Sequence, residues 1–163
     1  FVFNSFLRVV TTGVTAVPPR QTQTSLPASM QAIFTPLEHD ITLLGYETLP
    51  QVGQSGEPLL VTLYWQPGAP VAFPYTVFNH LIAPDGTLVA QQDGLPMQGQ
   101  LPTSCWQPGE VIADPHRLAL PADLPAGRYT LLTGLYDPQT GQRLQVQAGG
   151  DVVKLGEVVV ERP

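Results

Sequence analysis

Short apolar runs, broken by proline- and glycine-rich turns and lacking a helical period, predict an all-β fold. The form expected is an Ig-like, Greek-key antiparallel β-sandwich of about eight or nine strands, with an extended N-terminal arm. The 18 prolines and 15 glycines show no collagen period and fall between the apolar runs, as many short strands joined by tight turns require. With 43% hydrophobic residues in 163, the chain can build one domain with a core but not two of ordinary size.

Charge narrows the function classes. Only 12% of residues are charged, so Gln, Thr, Ser and backbone must supply much of the polar surface. A net charge of -6 with a single lysine, Lys154, argues against nucleic acid, whose phosphates are neutralised by clustered Lys and Arg. The charge is uneven. Residues 1–37 carry +2 from Arg8 and Arg20, and the remainder carries -8, a pattern suited to an arm and a body that pair between neighbouring chains. Cys105 is the lone cysteine, which excludes an internal disulfide. No run reaches the roughly 18 apolar residues of a membrane span, and Arg8 interrupts the best candidate. The start at Phe1 fits a removed leader, a larger precursor or a fragment.

Three segments are expected. Residues 1–17, FVFNSFLRVVTTGVTAV, are rich in Phe, Val and Thr, and both alternate sets of side chains are largely apolar. Such a segment reads as a strand that docks on another surface, or as the end of a transmembrane helix. Residues 18–30 form a proline-rich linker, extended and stiff. Residues 31–163 form the sandwich.

Within the sandwich, strands are expected at Ile41–Tyr46, Leu59–Trp65, Tyr75–Ala83, Leu88–Asp93, His116–Leu120, Arg128–Tyr136, Arg143–Val146 and Val152–Val160, with a short one near Ala32–Phe34. Leu59, Val61, Leu63 and Trp65 alternate with Thr62 and Tyr64, the pattern of a half-buried strand. Tyr75–Ala83 is apolar on both faces, so it should be covered on both, with His80 a hydrogen-bonded core histidine. Asp85-Gly86 and Asp137 to Gly141 supply hairpin turns. The run Leu124-Pro-Ala-Gly-Arg-Tyr129 has the spacing of a tyrosine corner, in which a Tyr hydroxyl bonds back to the backbone and pins a crossover.

An ordered series of motifs carries a family resemblance. It runs from Ile41-Thr-Leu-Leu-Gly-Tyr46 through Leu63-Tyr-Trp-Gln66, His80-Leu81 and Gln92-Asp93. It continues with Trp106-Gln-Pro-Gly-Glu110, Asp114, Gly127-Arg-Tyr129 and Gly134-Leu-Tyr-Asp137. Residues 41–146 thus resemble an uncharacterised β-sandwich domain, the C-terminal, extracytoplasmic part of bacterial membrane proteins similar to dolichyl-phosphate-mannose-type glycosyltransferases. The resemblance implies an extracytoplasmic location and carries over no catalytic residue, because that family's catalytic residues lie in the membrane-embedded part.

The residues themselves point away from catalysis. There is no G-x-S-x-G elbow, the three histidines His39, His80 and His116 lack metal-ligand spacing, and the thiol lacks a nucleophile signature. Asp85, Asp93, Asp114 and Asp137 are expected at turns or strand ends, which leaves room for a structural calcium but for no other cofactor. The function expected is a non-catalytic interaction module at the cell surface. Its arm would add to a neighbouring copy by β-strand addition, with Phe1, Phe3, Phe6, Leu7 and Val9 as anchors. One alternative is a carbohydrate-binding module using Trp106, Tyr64 and Tyr75, with Trp106 exposed on its loop. The other is a passive domain of a membrane-anchored parent protein.

Overall fold

The computed structural model describes residues 25–163; the arm Phe1–Val17 and most of the linker lie outside the described residues. Nine strands form two sheets. In chain order they are β1 (Gln31–Pro36), β2 (Ile41–Leu49), β3 (Val52–Gln54), β4 (Pro58–Pro67), β5 (Thr76–Ile82), β6 (Leu88–Gly94), β7 (Ile112–Ala119), β8 (Gly127–Tyr136) and β9 (Val153–Glu161). One sheet has the order β1-β2-β4-β7, the other β3-β9-β8-β5-β6. All neighbours are antiparallel except β3, which runs parallel to β9. The sandwich expected from the sequence is the fold observed.

The core lies between the sheets and follows the alternation of the strands. Leu59, Val61, Leu63 and Trp65 of β4 are buried, facing Tyr129, Leu131 and Leu135 of β8, with Val77 and Leu81 of β5 in the same cluster. The tyrosine corner is present: the Tyr129 hydroxyl donates to the Pro125 carbonyl at 2.7 Å. The Asp85 carboxylate accepts from Thr87 N–H across the β5–β6 turn, where Gly86 takes φ 87°.

Four expectations need correction. Arg143–Val146 is not a strand but a crossing segment, held by single bridges from Arg143 to Tyr136 and from Val146 to Leu37 on opposite sheets. β7 begins at Ile112, not His116. Asp114-Pro115 reads as a turn, yet β7 is the outer strand of its sheet, where proline's missing N–H costs no ladder bond. Asp114 is therefore inside a strand and fully buried. His80 is not a core histidine. The core-facing set of β5 is Val77, Asn79 and Leu81, and His80 shares the opposite face with Phe78.

Replacing Tyr129 by Phe removes the corner hydrogen bond and leaves the ring in place. The expected loss is about 1 kcal/mol of folding free energy, read from the urea midpoint at unchanged slope.

Candidate functional site

Three places in the sandwich gather polar side chains or unpaired backbone. The first is a buried seam where β6 of one sheet meets β7 of the other. Asp114 and His116, two apart on β7, both face inward, and His116 Nε2 lies 2.6 Å from Asp114 Oδ2. Asp114 also accepts from the Met97 backbone N–H at 2.7 Å and from Trp65 Nε1–H at 3.3 Å. His116 Nδ1 is 2.7 Å from Gln92 Oε1 on β6. The Gln92 amide is oriented by its own Nε2–H, which donates to the Asp93 carbonyl at 3.2 Å. The His116 ring thus bridges the Asp114 carboxylate on its own strand and the Gln92 side-chain amide on β6. A His–Asp pair suggests hydrolytic chemistry, but here Nδ1 meets an amide oxygen rather than a nucleophile, and the pair is closed off from solvent. Its geometry is that of a clasp joining the two sheets.

The second place is the outer face of β5 and β8. Phe78 is buried outside the main core: the Arg143 guanidinium lies 4.3 Å above its ring centroid, and Gly134 gives it room below, where a Cβ would sit 2.6 Å from the ring. His80, Asp93, Tyr136, Gly141 and Arg143 line a shallow recess of about 250 Å³ around it. The Tyr136 hydroxyl donates to Asp93 at 3.1 Å, and His80 Nε2 lies 3.7 Å from the same carboxylate. Burial holds the His80 imidazole below its ordinary pKa, with Asp93 opposing and Arg143 reinforcing the shift.

The sequence candidates for glycan stacking are distributed differently. Trp106 is 2% exposed, tilted against Trp65 at 6.2 Å, and its Nε1–H donates to the Leu101 carbonyl at 3.0 Å. The open loop position that the glycan-binding alternative requires is not the one Trp106 takes: its ring tucks over one end of the core. Tyr64 is buried as well, its hydroxyl donating to Glu47, and burial with that carboxylate pushes its pKa far up. Tyr75 alone is partly open, stacked on His39 at 5.4 Å beside Glu38, Asp137 and Arg143. Among the described residues no three His, Cys, Asp or Glu side chains could hold a metal ion, and no helix is long and apolar enough to cross a membrane.

The third place is the side of the sandwich opposite the clasp, where β1 ends one sheet and β3 and β9 end the other. β3 pairs with β9 only at Val159, Val160 and Glu161. From Val153 to Val158 the outer edge of β9 has no neighbouring strand among the described residues. Sequence reasoning missed this edge because Val-Gly-Gln at 52–54 carries no strand signal, and the shortness of β3 is what leaves β9 open.

No protein-family model matches the sequence, and no curated protein matches it. Solved structures do. The crystal structure of the C-terminal domain of Wzt superposes with a TM-score of 0.51 at 12% identity, over 84% of this chain and 80% of that one. The CARDB domain of a Pyrococcus furiosus protein, solved in complex with di-metal ions, gives a TM-score of 0.42 at 13% identity, over 85% of this chain and all of that one. At such identities the first likeness establishes a shared β-sandwich fold, and the second carries no argument.

Removing the carboxylate at Asp114 tests the clasp. Asp114→Ala leaves Met97 N–H, Trp65 Nε1–H and His116 without their acceptor in a dry interior, so a loss of about 3–5 kcal/mol is expected in urea unfolding. A loss under about 1 kcal/mol contradicts the assigned network.

Proposed function

We propose that this chain is a non-catalytic, extracytoplasmic interaction module that assembles with other copies of itself at a cell surface, through β-strand addition of residues 1–17. One observation carries the reading: a segment of strand-forming composition precedes, through a proline-rich stretch, a sandwich that is clasped along one side and, among the described residues, left with unpaired backbone along the other. Phe1, Phe3, Phe6, Leu7 and Val9 serve as the apolar anchors. Used head-to-tail, a donor and an acceptor at different places on one chain propagate into an open filament or layer, whereas reciprocal exchange between two copies closes a dimer. The resemblance of residues 41–146 to an extracytoplasmic domain supports the location.

The glycan-binding alternative rests on Tyr75 and the neighbouring Arg143 recess, since Trp106 and Tyr64 offer no open ring face. As a passive domain of a membrane-anchored parent protein, the chain would instead use the apolar residues of 1–17 as the end of a transmembrane helix.

Deleting residues 1–17 tests the reading. Sedimentation should show the full chain forming concentration-dependent oligomers, and the shortened chain a folded monomer with unchanged circular dichroism. Equal assembly by the two chains would overturn it.

A further inference from the structure

We infer that the receptor for the arm is the outer edge of β9, Val153–Val158, and that its occupant is the arm of a second copy of this chain. The inference rests on the strand-addition reading above and names where that addition occurs.

The other strand edges of the sandwich are blunted. β7 carries Pro115 and lies against β6, to which Gln92 and His116 tie it by side-chain hydrogen bonds. β6 faces β7 across that same seam. β1 is broken by a shift between Ala32 and Thr35, where Phe34 takes a positive φ of 46° that no regular ladder accommodates. β3 is three residues long. The open run of β9, Val-Lys-Leu-Gly-Glu-Val, contains no proline and no left-handed residue; its register against β8 shifts once, at Leu155, and on either side of that shift its outer N–H and C=O groups face no neighbouring strand among the described residues. Six residues span about 20 Å, the length of a typical strand. The strands that border this gap expose apolar side chains, Phe34 of β1 at 61% and Val52 of β3 at 41%.

Length, composition and charge select the occupant. The arm is long enough to cover six residues of β9 twice over, is rich in Phe, Val and Thr, and brings +1 from Arg8, with Arg20 in the linker, to a body of -8. The linker carries Pro18, Pro19 and Pro27. Residues 27–30 form a turn in which Met30 N–H donates to the Pro27 carbonyl, so the tether is residues 18–26. At about 3.1 Å per residue a proline-rich tether of that length can span roughly 28 Å, against a radius of gyration of about 14 Å for a domain of this size, which is enough to reach a neighbouring copy.

Hydrogen exchange on the full chain, dilute and assembled, tests the site. On assembly the amides of 153–158 should slow at least about tenfold, while those of β1 and β6 keep their rates. If deletion of 1–17 abolishes assembly but protection appears on β1 or β6, the β9 assignment is overturned and the strand-addition reading stands. If 153–158 is equally protected at every dilution, the arm occupies its own chain and the second-copy claim is overturned. If the shortened chain still assembles, the strand-addition reading falls, and the inference with it.

Discussion

The sandwich depends on an asymmetry between its two long sides. On one side the buried carboxylate of Asp114 draws together β7, β4 and the turn after β6, through His116, Trp65 and the Met97 amide, and Gln92 carries the link into the second sheet. A carboxylate in a dry interior is costly unless each lone pair meets a donor, and here three donors converge on it. The clasp fixes how the sheets meet along β6 and β7. Apolar alternation alone leaves that registry loose, because hydrophobic contact has no direction.

The opposite side has no such device. The chain leaves β2, turns through Pro50 and places only Val52–Gln54 beside β9 before returning as β4. Two-sheet proteins usually hide or blunt an exposed ladder. This one blunts β1 with a bulge and a positive-φ residue and β7 with a proline, and leaves the upper part of β9, bulged once at Leu155, without a neighbouring strand among the described residues. Under the proposed reading, residues 1–17 would supply what that edge lacks, strand-forming composition and apolar side chains. Function would then follow from fold by completion, the missing strand being offered by a neighbouring copy.

The fold was legible where local chemistry and tertiary position agree. β4 and β8 announce themselves by alternation, the β5–β6 turn by Asp85-Gly86, and the corner by Gly127 and Tyr129 two residues on. It was illegible where position overrides composition. Asp114-Pro115 has the composition of a turn and is an edge strand; Val-Gly-Gln has no pattern and is a strand through pairing alone. Trp106 sits in a proline- and glycine-rich loop, yet Leu101 and Trp65 draw it inward. The clasp was out of reach of sequence reading: Gln92 and His116 are 24 residues apart and meet only when the sheets stack. The β9 edge is likewise a property of strand order, which no single segment encodes.

Mixed isotope labelling offers the most direct test of this account. Assemblies grown from equal parts of ¹³C-labelled and ¹⁵N-labelled full chain report only contacts between different copies in ¹³C–¹⁵N solid-state correlation spectra. Cross-peaks between residues 1–17 of one copy and Val153–Val158 of another, spaced as in a β-ladder, are the predicted result. Assemblies whose intermolecular cross-peaks join body to body and leave the arm without a partner would contradict it.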